Sequence, residues 1–186
     1  MEIAHFSEVP ALKQTGNDEN ENTNKYHPLS RQWTLWTHLP HDTDWTINSY
    51  KKVYEMTSVE ETIALLETLP EVLVTNCMLF IMRNGVVPVW EDPANRTGGC
   101  FSYKVNNKQV YSIWKELTYM LVGETLSENK NFVETVTGIT ISPKKSFCIL
   151  KIWVSSCSFQ DSSIITDSIR GLASGGCLFK KHTPEY

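Results

Sequence analysis

At 186 residues and a formal net charge of −4, the chain fits one domain, long enough to bury most of its apolar surface without disulfides or metal. No apolar run approaches the roughly 18 residues of a bilayer span, and Met1-Glu2-Ile3-Ala4-His5 lacks the basic start and apolar stretch of a signal peptide, so a cytoplasmic protein is expected. The five cysteines, Cys77, Cys100, Cys148, Cys157 and Cys177, are odd in number and form no CxxC pair, which argues against a disulfide framework or a zinc knuckle.

Residues 1–26 hold Glu2, Glu8, Asp18, Glu19 and Glu21 against Lys13 and Lys25, a net −3, which leaves −1 on residues 27–186. The segment "KQTGNDENENTNK" has no aromatic residue and no apolar period, so residues 1–26 are expected to be a disordered acidic arm and residues 27–186 the folded domain. "RQWTLWTHL" alternates as a strand, placing Trp33, Leu35 and Thr37 on one face and Trp36 on the other. Ser58-Val59-Glu60-Glu61 is a capping box that opens a helix ending near Leu69, before Pro70. "CMLFIMRNG" predicts a strand into a turn at Asn84-Gly85. In "QVYSIWKELTYMLVG", Val110, Ile113, Trp114, Leu117, Met120 and Leu121 repeat at helical spacing, with Gly123 where a left-handed cap belongs. "TVTGITIS" and "FCILKIWVS" predict strands joined by a hairpin at Ser142-Pro143-Lys144-Lys145. Asp161 is placed to cap a last helix carrying Ile164, Ile165, Ile169 and Leu172, followed by a terminal strand "CLFKK". Together these elements predict an α+β domain with an antiparallel sheet covered on one face.

Nothing in the sequence calls for catalysis or a cofactor. GxSxG, HExxH, Walker A and GxGxxG motifs are absent, and His27, His38, His41 and His182 show no metal-ligand spacing. The six tryptophans are the unusual feature. Trp114 lies on an apolar helix stripe and one of Trp33 or Trp36 should face the helices, but Trp45 sits in the polar loop "LPHDTDWTINSY", where an indole has no evident core to enter. Trp90 ends a strand in "VPVWEDPANRTGGC" and precedes Glu91 and Asp92. Two loop indoles can sandwich a flat ring, a cationic ring gains further from the π-faces, and a carboxylate beside the slot can accept two N–H bonds from a guanine edge. Such walls with one acid select a methylated, positively charged guanine; Asp92 is better placed to brace its loop.

In "HPLSRQWTLW", "VPVWED" followed by "GG", "IWKELTYMLVGE" and "ILKIW", in this order, the chain from about residue 27 onward resembles the messenger-RNA cap-binding proteins of the translation initiation factor 4E type. The resemblance implies a curved antiparallel sheet with three helices on its convex face and the cap on its concave face. It implies that Trp45 and Trp90 stack on 7-methylguanine, that Glu91 reads the guanine edge and that Trp153 lies near the N7-methyl group. Of the family's phosphate-binding arginine and lysine, Lys144 stands at the first position and Ile149 at the second. Lys151 is the substitute, on the same face of its strand, with Lys145, Lys180 and Lys181 in reserve.

The resemblance also implies a helix-side surface for a 4G-like scaffold or 4E-binding proteins that carry a Tyr-x-x-x-x-Leu helix. His27, Pro28, Val59, Glu116 and Gly123 match it, whereas Ile63 replaces a tryptophan and Lys115 a leucine, which weakens the expected scaffold contact. Two alternatives stand beside cap binding in translation initiation. One is a cap-binding repressor unable to recruit the scaffold; the other is an interaction module without cap binding.

Overall fold

The computed structural model describes residues 26–169, 171–172 and 174–184. The expected acidic arm lies outside the described residues apart from Tyr26, which is exposed. Seven strands form one antiparallel sheet in the order β2-β1-β3-β5-β6-β4-β7: β1 Pro28–His38, β2 Tyr50–Ser58, β3 Met78–Arg83, β4 Gly99–Asn106, β5 Val136–Pro143, β6 Phe147–Val154 and β7 Cys177–Lys181. Four α-helices are present among the described residues: α1 Val59–Thr68, α2 Glu71–Asn76, α3 Val110–Val122 and α4 Lys130–Thr135.

Period-two alternation divides the sheet into two faces. Trp33 and Leu35 of β1, Leu79 and Ile81 of β3, Ile139 and Ile141 of β5, and Leu150 and Ile152 of β6 point into the main core, where α3 contributes Ile113, Trp114, Leu117 and Leu121. The opposite face carries a smaller cluster of Phe80, Met82 and Trp153, with Trp36, Tyr50, Met78, Val86 and Trp90 against it. Trp33 is thus the β1 indole that faces the helices, and Trp36 the one that does not. Gly138 makes the second face possible at its centre, because a Cβ there would stand 2.4 Å from Met82 Sδ and 2.5 Å from the Ile81 carbonyl oxygen.

The capping box forms as the sequence predicts. Ser58 Oγ accepts the Glu61 N–H at 3.2 Å while the Glu61 carboxylate accepts the Ser58 N–H at 3.1 Å and the Thr57 N–H at 2.8 Å, an arrangement that contributes about 1 kcal/mol.

Three local expectations are corrected. Gly123 keeps helical dihedrals, and the left-handed position falls on Glu124 at φ 55°. The Glu124 N–H bonds the Leu121 carbonyl and the Thr125 N–H the Met120 carbonyl, a Schellman closure shifted one residue along, with Arg31 Nε 2.9 Å from the Glu124 carboxylate. The helix expected after Asp161 is one 3-10 turn, Ser162–Ile164, in which Asp161 caps the Ser163 N–H. Ile165, Ile169 and Leu172 still enter the core, but the Thr166 N–H bonds the Leu126 carbonyl and Gly171 turns at φ 96°, so the segment is irregular. Finally, among the described residues the α-helices number four rather than three: two of the expected three form, and the short α2 and α4 occupy stretches that the apolar pattern left unassigned.

Candidate nucleotide-binding site

Trp45 lies in the loop after β1, on the side of the sheet away from the helices. It is 61% exposed and stacks on His38 at 4.3 Å between centroids and 5° between planes. Asx turns set this loop: the Asp44 carboxylate accepts the Thr46 N–H at 2.8 Å and the Thr46 hydroxyl at 2.9 Å, and Asp42 accepts the Asp44 N–H at 2.9 Å. The Thr46 bonds hold the Asp44 carboxyl below its ordinary range. His38 is buried and donates from Nε2 to the Asp44 carbonyl at 2.8 Å, so the loop and the ring beneath the indole are fixed together.

Trp90 is half-buried in the loop between β3 and β4. Asp92 braces that loop as expected, accepting the Val87 N–H and the Ala94 N–H, each at 2.8 Å. Asn95, fully buried, donates to the Val87 and Val89 carbonyls at 3.0 and 2.9 Å and accepts the Thr137 hydroxyl at 2.8 Å. Glu91 follows Trp90 and lies close enough to His182 to act on it electrostatically. His182 stacks on Trp90 at 5.4 Å and 17° and meets Trp153 at 4.9 Å. Trp153 is buried on the same sheet face, its Nε1 donating to Thr140 Oγ1 at 2.7 Å.

One aromatic chain connects the two indoles. From Trp45 it passes through His38 to Tyr50 at 5.2 Å and on to Phe80 at 5.4 Å, then through the cluster of Phe80, Met82 and Trp153, to which Trp90 packs. The helix-free face thus carries both loop tryptophans, each against a histidine.

The lysines divide by strand register. Lys151 is half-buried two residues before Trp153, hence on its face and about 7 Å along β6. Lys180 pairs with Cys100 opposite Trp153 and places Nζ 5.3 Å over the Trp90 ring. Lys144 and Lys145 are exposed at the β5–β6 hairpin, at the far end of β6 from Trp153. Lys181 shares the register of Phe179, which packs on the main core, so it faces the helix side. Lys104 stands directly across β4 from Ile149, on the site's face, with Nζ 4.5 Å over the Phe147 ring. Sequence reasoning missed Lys104, Asn95 and both histidines. The alternation Trp36-His38 and Lys180-His182 was the available signal for the two histidines.

On the helix side, Pro28, Leu29, Val59, Ile63, Tyr119 and Gly123 help line a mainly apolar groove of about 440 Å³. His27 sits at its rim, its N–H and Nδ1 on the Glu60 carboxylate at 2.9 and 2.6 Å. Glu116 is exposed and outside the groove lining, and Lys115 is paired with Glu67 at 2.6 Å.

The sequence pattern of eukaryotic initiation factor 4E matches residues 28–181. Among curated relatives, eukaryotic translation initiation factor 4E-2 of Schizosaccharomyces pombe is 30% identical over 146 residues, 74% of this chain and 57% of that protein. Eukaryotic translation initiation factor 4E of Candida albicans is 29% identical over 167 residues, 84% of this chain and 78% of the relative. The chain therefore spans somewhat over half to about three quarters of the length of these relatives. The fold is similar to that of Ascaris suum eIF4E-3 in complex with m7G cap, with a TM-score of 0.69 at 21% identity over 86% of this chain and 93% of the other. It is also similar to Caenorhabditis elegans eIF4E-3 in complex with the 4E-binding protein Mextli and cap analog, with a TM-score of 0.65 at 22% identity over 72% and 77%. With the profile spanning every strand of the sheet, the chain belongs to the eukaryotic initiation factor 4E family.

Proposed function

We propose that this protein binds the 7-methylguanosine cap of messenger RNA and acts in translation initiation as a binding module rather than a catalyst. Trp45 and Trp90 stack on the two faces of the methylated base, and Glu91 accepts its N1–H and exocyclic amine. Trp153 lies by the methyl group. Lys151 and Lys180 receive the phosphates, with Lys144 and Lys145 available further along. Lys104 supplies the charge that Ile149 lacks, because directly paired side chains stand about 5 Å apart.

The observation that carries this reading is the pair of loop indoles on one sheet face, both joined to a single aromatic cluster, in a family whose solved members include m7G cap complexes. Tryptophan fluorescence should be quenched by a 7-methylguanosine cap dinucleotide and far less by its unmethylated counterpart, and Glu91→Gln should weaken the methylated ligand by about tenfold, as loss of a charge-assisted pair does. Equal response to both dinucleotides would remove the methyl-cation basis of the reading.

The groove supports a partner role on the opposite side. It fits the apolar face of a short helix of the Tyr-x-x-x-x-Leu type, and the Caenorhabditis elegans relative is in complex with a 4E-binding protein. Ile63 offers a smaller anchor than an indole, and Lys115 is engaged by Glu67. Ile63→Trp should therefore tighten binding of such a peptide by about tenfold, and Ile63→Asp should abolish it. Titration calorimetry showing both variants equal to the wild type would place the partner elsewhere.

A further inference from the structure

His182 lies past the end of β7, beyond the residues that the family pattern covers. It is nonetheless among the most enclosed polar side chains of the site, 2% exposed. Its backbone N–H bonds the Gly98 carbonyl at 2.9 Å, and its Nδ1 lies 2.7 Å from the Asn95 carbonyl oxygen. A carbonyl only accepts, so Nδ1 carries the proton and the neutral ring leaves Nε2 as a bare acceptor. That Nε2 is buried without a hydrogen-bond partner among the described residues. One face of the loop that carries Trp90 is thus tied to the end of β7 by two hydrogen bonds and one ring stack.

From this geometry we infer that His182 is a positioning residue of the cap slot: as a neutral ring it seats Trp90 against Trp153, and on protonation it unseats that wall. The inference rests on the cap-binding reading of the same face. A proton on Nε2 would meet no acceptor at hydrogen-bond distance among the described residues, and it would set a second cation against an indole already under Lys180 and required to stack a cationic base. The charged and titratable groups on the elements packed against the ring are Glu91, Asp92 and Arg96 on the covering loop, Lys151 on β6, Cys100 on β4 and Lys180 on β7, of which Glu91 and Lys151 act on it directly. Burial pushes the His182 imidazole below its ordinary value, Lys151 adds to this, and the Asn95 carbonyl and Glu91 oppose it. The sign follows: the neutral, seated form is complete above the ordinary histidine value near 6.5, and is lost as pH falls through the depressed one.

The test measures affinity for a 7-methylguanosine cap dinucleotide, whose bridging phosphates do not titrate in this range, at about pH 7.2 and about pH 5. His182→Phe keeps the ring without a titratable nitrogen, and the Asn95 carbonyl keeps the Gly98 N–H at 2.9 Å. It should bind within about twofold of the wild type at the higher pH, whereas His182→Ala should bind about tenfold more weakly, as loss of an aromatic contact does. Between the two pH values the wild type should lose about fivefold more affinity than His182→Phe, since ligand titration and the other carboxylates are common to both. Parallel pH profiles, or His182→Ala binding as tightly as wild type, would overturn the positioning role while cap binding stands. Failure of the wild type to bind at pH 7.2 would instead remove the cap reading, and the role with it.

Discussion

Trp90→Ala should weaken binding of a 7-methylguanosine cap dinucleotide by thirtyfold or more. Base stacking contributes about 1–3 kcal/mol per aromatic, and a cationic ring adds attraction to the indole face. At about 1.4 kcal/mol per tenfold, one wall accounts for a loss of roughly five- to a hundredfold or more. Trp45→Ala should cost a similar amount of affinity but almost no stability, because Trp45 is 61% exposed and touches the fold chiefly through the His38 stack. Trp90→Ala should also lower the melting temperature, since it uncovers the buried His182 and Trp153. A double-mutant cycle separates a sandwich from two unrelated contacts: if both walls hold one ring, the losses couple by about 0.5 kcal/mol or more. Fluorescence or calorimetric titration is sufficient, and single variants within twofold of wild type would sink the sandwich.

The two faces of the sheet were legible because side-chain alternation is a local property. "RQWTLWTHL" by itself separates Trp33 from Trp36, and the structure puts them in different clusters. The α3 stripe and the Ser58 box were legible for the same reason, since their partners lie within one or two turns of chain. What was not legible depends on distant pairing. The segment after Asp161 has helical spacing, yet its backbone bonds are isolated turns, the Thr166 N–H goes to Leu126 in the α3–α4 connection, and Gly171 with φ 96° closes against Ile113. Lys104 becomes a candidate only when β4 pairs with β6 and sets it opposite Ile149. His182 falls under Trp90 only because β7 is added beyond β4 at the sheet edge, 92 positions after the indole it supports. The tryptophans, Glu91 and the brace at Asp92 could be proposed from residue type and order, but Asn95 and the two histidines that hold the indoles in place could not.

Asn95 makes this last point measurable. Asn95→Ala should destabilise the domain by about 3 kcal/mol and lower its melting temperature by about 10 °C. Three side-chain bonds disappear together, two from the amide to the Val87 and Val89 carbonyls and one from the Thr137 hydroxyl, all in a fully buried setting where water cannot replace them. Each bond contributes about 1 kcal/mol net, and the groups left without partners add desolvation cost. The loss should fall unevenly. Amide exchange in residues 87–98 should accelerate far more than in β5 or α3, because the Asn95 amide ties the start of the loop to its end, and without it the Asp92 carboxylate and the local backbone turns at Asp92–Gly98 are left to hold it. Cap affinity, measured where the variant is still folded, should drop although Asn95 touches no proposed ligand atom, since Trp90, Glu91 and the His182 anchor all ride on that loop. Uniform acceleration of exchange across the sheet, with affinity unchanged, would mean that Trp90 is held by the aromatic cluster alone and that the loop's internal bonds are dispensable to the site.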